Sequence, residues 1–125
     1  MINLVILGST GSIGSQALAL ADMYPELIKI RGLAADTGGR LFMEQIAKYK
    51  PDYAALANKE AAEKYSSEEF RLLSGPEGIC ELASLDCADM VLVAVVGIAG
   101  LDAVMAALKA GKRVALANKE ALVAG

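Results

Sequence analysis

Three glycines recur at every third position near the N-terminus, in a segment that reads Gly8-Ser9-Thr10-Gly11-Ser12-Ile13-Gly14 and follows a short apolar run. A tight turn at Gly8, an open backbone at Gly11 and close packing at Gly14 would let a dinucleotide pyrophosphate reach the N-terminus of a following helix. The N–H groups of that turn, with its serine and threonine hydroxyls, would bind the anion. The pattern therefore predicts dinucleotide binding, and an ordinary Gly/Ser turn is the alternative.

A second candidate for chemistry is Asp36, which lies 22 residues after Gly14. An acid at a spacing of about 20 residues typically binds the ribose 2′-hydroxyl of a dinucleotide. A carboxylate there favours NAD over NADP, because it repels a 2′-phosphate. The segment Thr37-Gly38-Gly39-Arg40 instead begins a helix whose N–H groups, hydroxyl and guanidinium could bind a 2′-phosphate. Simple capping of that helix is a third interpretation of Asp36.

Two further segments follow predicted strands. The small residues of Val95-Val96-Gly97-Ile98-Ala99-Gly100 would lie beneath a bound cofactor, or would only form a close-packed turn. Asn118, Lys119 and Glu120 could hold polar ligand groups at a helix N-terminus. Taken in isolation, the same triplet fits a surface cap followed by a solvated charge pair.

Short apolar runs alternate with helix-patterned stretches, so each of these motifs falls where a strand meets a helix. This alternation predicts an α/β fold, a Rossmann-like doubly wound parallel sheet with helices on both faces. The segment 90–96 has no polar residue and is expected to be covered on both faces. The predicted strands are 2–7, 28–35, 53–56, 70–73, 90–96 and 113–116, and the predicted helices are 13–24, 40–50, 59–65, about 74–85, 101–110 and 118–123.

Composition excludes several classes of function. A chain of 125 residues with 55% hydrophobic content is one domain with its own core, and a net charge of −3 does not fit a nucleic-acid-binding surface. The absence of histidine excludes histidine triads and histidine metal sites. The longest stretch without a polar or charged residue, 90–101, has 12 residues, whereas a bilayer span needs about 20. With no basic segment before the first apolar run and two cysteines without metal spacing, the chain is predicted to be a reduced cytoplasmic protein.

The glycine turn at one end and the Asn-Lys-Glu triplet at the other together resemble the N-terminal part of the 1-deoxy-D-xylulose 5-phosphate reductoisomerase family. The first motif is Ile6-Leu7-Gly8-Ser9-Thr10-Gly11-Ser12-Ile13-Gly14, and the second joins Gly111-Lys112 to Ala117-Asn118-Lys119-Glu120. Between them, Leu33-Ala34-Ala35, the Glu44-Gln45 helix, Lys50-Pro51 and the segment 96–101 stand in the order that the family shows. The resemblance therefore covers the whole chain.

This resemblance implies an enzyme that converts 1-deoxy-D-xylulose 5-phosphate to 2-C-methyl-D-erythritol 4-phosphate with NADPH and a divalent metal ion, Mg²⁺ or Mn²⁺, in non-mevalonate isoprenoid biosynthesis. It implies a bacterial, cytoplasmic homodimer that acts on a sugar phosphate and binds neither nucleic acid nor membrane. Lys119 would contact the substrate. The residues that would bind the cofactor are Gly8, Thr10, Gly11, Ser12, Ile13, Asp36, Thr37, Gly38, Asn118 and Glu120.

The segment Asp36-Thr37-Gly38 departs from the family, which often carries Lys, Arg or a small polar residue there, and its carboxylate opposes the implied preference for NADPH. The metal-binding carboxylates, the histidine-bearing flap and the C-terminal domain of the family all lie beyond the Asn-Lys-Glu motif. Residues 1–125 are therefore expected to form the NAD(P)-binding domain alone, inactive by itself and without catalytic or metal-binding residues. The alternatives are the cofactor domain of another NADP oxidoreductase, such as an aspartate-semialdehyde dehydrogenase, and a stand-alone NAD(P)-sensing module.

Overall fold

The computed structural model describes residues 1–65, 70–94 and 98–116, without the side chains of residues 98 and 99. Within these ranges, strands and helices alternate as the sequence predicts. Pro25 and Pro51 lie just after the first and second helices, because proline has no N–H to continue a helix. In chain order the elements are β1 (Ile2–Leu7), α1 (Ser12–Met23), β2 (Ile28–Ala35), α2 (Arg40–Tyr49), β3 (Tyr53–Leu56), α3 (Lys59–Ala62), β4 (Arg71–Ser74), α4 (Gly75–Ala83), β5 (Met90–Val93), α5 (Ile98–Lys109) and β6 (Arg113–Leu116).

The six strands form one parallel sheet in the order β4-β3-β2-β1-β5-β6. The chain starts in the middle with β1, builds outward through β2, β3 and β4, and then returns to the other side of β1 with β5. Leu7 pairs with Ala34 of β2 and with Val93 of β5, so the carboxyl ends of these three strands lie level. The order in which strands are added to the sheet reverses between β1 and β5. This reversal places a crevice at this edge, which is where doubly wound sheets bind ligands. The predicted Rossmann-like fold is confirmed.

Helices cover both faces of the sheet. Because side chains alternate along a strand, the buried apolar run 4–7 of β1 serves two separate clusters. Val5 packs in one cluster with Leu82 of α4 and Ala103 of α5. Ile6 packs in the other with Phe42 of α2 and residues of α1. The sheet is therefore the middle layer of three, and β1 lies at its centre.

The strand β5 differs from its prediction. It ends at Val93 rather than Val96, and Ala94 is already outside the strand, whereas residues 95–97 lie outside the described ranges. Its burial alternates, with Val91 and Val93 buried but Met90 and Leu92 only partly buried. Val91 and Val93 pack in the cluster with α4 and α5, whereas Met90 and Leu92 pack against the cluster with α1 and α2, so β5 is covered fully on one face and partly on the other. Among the described helices, none has the length and hydropathy that a bilayer crossing requires.

Candidate dinucleotide-binding site

The turn that connects β1 to α1 begins at Gly8, whose φ of 94° lies in the left-handed region that side chains disfavour. The N–H groups of Gly8 and Ser9 both donate to the carbonyl of Ala34 at the end of β2, at 2.8 and 2.9 Å. A Cβ on Gly8 would stand 3.1 Å from the carbonyl carbon and oxygen of Ala94, just after β5. Glycine at this position therefore makes the turn, as predicted, and lets it fit between the ends of β2 and β5.

Gly14 serves a different purpose, the close packing of α1 against the same turn. It is buried, and a Cβ built on it would collide with the carbonyl oxygen of Gly8 and would stand 2.8 Å from Cα of Ser9. Both neighbours are backbone atoms that have little freedom to move away. The predicted packing role of Gly14 is confirmed.

Gly11 has neither constraint. It precedes α1 with φ −77° and ψ 174°, an extended conformation that any residue adopts, and a Cβ there would meet only the Gly8 carbonyl oxygen, at 3.6 Å. The residue is exposed. The protein's own packing therefore does not require glycine at position 11. Its missing side chain leaves an open approach to the backbone of the turn, and this opening fits a phosphate group.

The N-terminus of α1 at this opening is suited to an anion. No side chain caps the helix, its first turn carries no acidic residue, and the first backbone donor with an acceptor is Ser15, whose N–H donates to Gly11 at 2.9 Å. The N–H groups of Thr10, Ser12 and Ile13 have no acceptor within the described part of the chain. Such N–H groups and the helix dipole together favour a negative charge, so the residues fit a dinucleotide pyrophosphate.

The second predicted part of the site follows β2. The carbonyl of Asp36 accepts the N–H of Asn58 at 3.0 Å, while the side chains of Asp36 and Thr37 are exposed. Gly38 and Gly39 both have positive φ, 84° and 95°, and α2 begins only at Arg40 with Gly39 as its N-terminal cap and no capping side chain. The capping interpretation of Asp36 is therefore wrong, because two left-handed glycines separate its neighbour Thr37 from the helix.

The fold brings these two turns to the same edge of the sheet. Asp36 comes two residues after Ala34, the residue whose carbonyl holds Gly8 and Ser9. Neighbouring parallel strands thus present the glycine turn and the segment 36–38 side by side. The remaining predicted site residues, Asn118, Lys119 and Glu120, and the segment 95–97 lie outside the described residues. The strand before the triplet, β6, ends at Leu116 opposite Val93 of β5.

Two residues outside the predicted site hold these turns in place. The Gly39 N–H donates to the Tyr65 hydroxyl at 3.2 Å, and Nε2 of Gln45 donates to the Ser9 carbonyl at 2.8 Å. A signal for Gln45 was present, because it falls on the apolar stripe of α2 between Phe42 and Ile46. No signal pointed to Tyr65, which is 26 residues from its partner.

At their far ends, α1 and α2 are joined by an exposed polar cluster. The Asp22 carboxylate accepts from Nζ of Lys48 at 2.9 Å and from the Tyr49 hydroxyl at 2.8 Å. These two hydrogen bonds lower the pKa of Asp22 below its ordinary value. Burial raises the pKa of Tyr49, and its hydrogen bond to Asp22 adds to this effect. The cluster links the two helices that carry the turns, at the end away from the crevice.

The described residues do not fit a metal centre. Within residues 1–65, 70–94 and 98–116, no three side chains of His, Cys, Asp or Glu lie close enough together to hold a metal ion. We therefore assign no metal-dependent step to these residues.

Comparison with known proteins agrees with this geometry. The family model for 1-deoxy-D-xylulose 5-phosphate reductoisomerase matches residues 4–125. A 1-deoxy-D-xylulose 5-phosphate reductoisomerase from Photobacterium profundum is 46% identical over 129 residues, which cover 98% of this chain and 32% of that protein. One from Thermodesulfovibrio yellowstonii is 43% identical over 125 residues, which cover 98% of this chain and 33% of that protein. The chain thus spans about a third of the length of these relatives.

Solved structures of such enzymes share the fold. A DOX-P reductoisomerase in complex with NADPH, fosmidomycin and magnesium is 35% identical with a TM-score of 0.89, over 98% of this chain and 31% of that one. The enzyme from Zymomonas mobilis in complex with NADPH is 29% identical with a TM-score of 0.90, over 99% of this chain and 34% of that one. With its glycine turn, its sheet order and the match over residues 4–125, this chain belongs to the 1-deoxy-D-xylulose 5-phosphate reductoisomerase family.

Proposed function

We propose that this chain is the NADPH-binding domain of an enzyme that converts 1-deoxy-D-xylulose 5-phosphate to 2-C-methyl-D-erythritol 4-phosphate. The observation that carries the proposal is Gly11, where an exposed glycine with an ordinary backbone conformation leaves the N-terminus of α1 open. Neither the backbone conformation nor the packing requires glycine here, and serine, asparagine or aspartate would cap α1 better, so a function that needs the open backbone explains its presence. The crevice beside β1 is the expected place for that function.

In this proposal the pyrophosphate lies against the glycine turn. The N–H groups of Thr10, Ser12 and Ile13 donate to its oxygens, the hydroxyls of Thr10 and Ser12 add to them, and Gly8 keeps the turn tight. Bound NADPH supplies the hydride for reduction. The protein's own contribution at this edge is to hold the dinucleotide in one orientation, so that its reactive end is always presented to the same side of the crevice.

The segment 36–38 takes the adenosine ribose, and the choice of NADPH over NADH rests on its electrostatics. The Asp36 carboxylate is exposed, and two unit charges about 4 Å apart in water interact by only about 1 kcal/mol. Its repulsion of a 2′-phosphate is therefore modest. The exposed Arg40 and the N-terminus of α2 favour the phosphate from the other side of Gly38 and Gly39. We propose that these attractions outweigh the repulsion.

The other parts of the proposal rest on membership of the family. Asn118 and Glu120 contact the cofactor, and Lys119 contacts the sugar phosphate. A divalent ion, Mg²⁺ or Mn²⁺, is held by residues outside this chain, which by itself catalyses no turnover. The full-length enzyme is a homodimer of the bacterial cytoplasm, with no nucleic-acid or membrane partner. A related structure in complex with NADPH, fosmidomycin and magnesium supports the proposed cofactor and metal.

The experiment is a pair of measurements on the full-length protein. Fluorescence of NADPH and of NADH, titrated with protein, measures the two affinities, and loss of NADPH absorbance with 1-deoxy-D-xylulose 5-phosphate and Mg²⁺ measures the reaction. We expect saturable binding with NADPH preferred, and turnover that requires both substrate and metal. Binding without turnover would favour the sensing module, and absence of binding would refute the proposal. Family membership already argues against the dehydrogenase alternative.

A further inference from the structure

A buried polar contact lies directly against the glycine turn. Gln45 of α2 is 6% exposed and Ser9 is fully buried, and Nε2 of Gln45 donates to the Ser9 carbonyl at 2.8 Å. The Ser15 hydroxyl reaches the same carbonyl only at 3.4 Å, a weak hydrogen bond. The orientation of the Ser9 carbonyl therefore depends mainly on Gln45.

The packing of α2 gives no reason for a glutamine at this place. Phe42 and Ile46, on either side of Gln45 along the helix, belong to the apolar cluster beneath the sheet. Oε1 of Gln45 and the hydroxyl of Ser9 make no hydrogen bond within the described part of the chain. Burying unpaired polar atoms disfavours folding, and an unbranched apolar residue of similar size would remove the unpaired Oε1 while taking one hydrogen bond from the Ser9 carbonyl, so the glutamine brings little net stability. The glutamine is therefore better explained by its effect on the turn than by stability.

The covalent geometry of the turn shows what that effect is. The Ser9 carbonyl and the Thr10 N–H belong to one planar peptide unit, and the structure has no cis peptide bond among the described residues. In a trans unit these two groups point in opposite directions. When Gln45 holds the carbonyl toward α2, the Thr10 N–H points away from α2 and has no described acceptor. The contact thus presents one more donor on the side of the turn that is away from α2.

We propose that Gln45 is a positioning residue for the dinucleotide pyrophosphate, acting through the Ser9–Thr10 peptide unit. This inference rests on the proposed function of the glycine turn. It also links the two halves of the site, since the helix that carries Gln45 begins directly after the segment proposed to take the ribose. Gln45 itself does not contact the cofactor.

The test compares Gln45→Met with Gln16→Met, the same change at an exposed position of α1, in the full-length protein. Losing one donor should raise the Kd for NADPH by roughly fivefold to tenfold. The affinity for adenosine 2′-monophosphate, which carries no pyrophosphate, should stay the same. The unfolding midpoint without ligand should shift by less than about 3 °C, because the variant removes the unpaired Oε1 of Gln45 and leaves the Ser9 carbonyl without its main donor. Gln16→Met should change none of these values.

An unchanged NADPH affinity in Gln45→Met, with the parent binding normally, would overturn the inference alone. An equal loss of affinity for both ligands, together with a large fall in the midpoint, would assign Gln45 a purely structural role and would also overturn it. Failure of the parent to bind NADPH would refute the proposed function and the inference with it.

A second variant, Gln45→Glu, keeps the test decisive if the methionine variant does not fold. Its carboxylate cannot donate to the Ser9 carbonyl, whereas the protonated acid can, and burial favours the protonated form. The ionisable groups that share the cleft between α1 and α2 are Glu44, Lys48 and Tyr49. The ratio of variant to parent Kd should fall as the pH is lowered, and a ratio that does not depend on pH would contradict the positioning role.

Discussion

Gly14 and Gly11 lie three residues apart, and the structure predicts that alanine lowers the stability at Gly14 and the NADPH affinity at Gly11. In Gly14→Ala, the new methyl group overlaps the Gly8 carbonyl oxygen and stands 2.8 Å from Cα of Ser9. Overpacking costs about 1–3 kcal/mol, and these rigid backbone neighbours place the cost at the upper end. Alanine in a helix regains about 1 kcal/mol over glycine. We therefore expect the free energy of unfolding to fall by about 2 kcal/mol.

In Gly11→Ala, the new methyl group meets only one atom, the Gly8 carbonyl oxygen at 3.6 Å, and the backbone conformation suits alanine. The free energy of unfolding should change by less than about 1 kcal/mol, because alanine restricts the unfolded chain more than glycine does but is a poorer N-cap for α1. The methyl group nevertheless stands in the open approach to α1. The affinity for NADPH should fall at least about tenfold, or about 1.4 kcal/mol.

Urea unfolding followed by circular dichroism, without ligand, measures the first quantity, and titration of NADPH fluorescence measures the second. The structure predicts a loss of stability in Gly14→Ala, and a loss of affinity with a change in stability of less than about 1 kcal/mol in Gly11→Ala. Parent-like NADPH affinity in Gly11→Ala would show that the phosphate does not approach there. Parent-like stability in Gly14→Ala would refute the close contact between α1 and the turn.

Three further predictions address the cofactor, the substrate and acid stability. Asp36→Gly should tighten NADPH by up to about fivefold and leave NADH nearly unchanged, since it removes a repulsion of about 1 kcal/mol; a parent that binds NADH more tightly would contradict the NADPH assignment. In the full-length enzyme, Lys119→Ala should cut turnover by at least about tenfold with little change in NADPH affinity, because one contact to the sugar phosphate is lost; steady-state kinetics with unchanged activity would remove Lys119 from the site. Asp22 has its pKa lowered by hydrogen bonds from Lys48 and Tyr49, so its contribution to stability is complete above its ordinary value of 3.8 and is lost as the pH falls through the lowered value. Asp22→Asn should therefore weaken the dependence of the unfolding midpoint on pH below about pH 4, and identical acid profiles for parent and variant would contradict this role.

Most of the fold could be predicted from local patterns in the sequence. The predicted bounds of β1, β2, β3 and β6 agree with the structure, because each run meets a glycine, an asparagine or a charged residue within two residues of its end. The Asn58 side chain, directly before α3, accepts the N–H of Ala61 at 2.9 Å and caps that helix, as asparagine commonly does. The place of the glycine turn could also be predicted locally, since the spacing of Gly8, Gly11 and Gly14 reflects the geometry of one turn.

The sequence by itself therefore determined the class of fold, the place of the glycine turn and, through resemblance, the family. Tertiary structure decided what depends on how the turn and the helices pack against one another. It showed that Gly14 is required by packing against the turn and Gly11 is not. It also paired Gln45 with Ser9 across 36 residues. Helix and strand patterns depend on residues that are neighbours along the chain. Each of these contacts depends instead on how two elements pack against each other, and the spacing of residues in the sequence does not specify that packing.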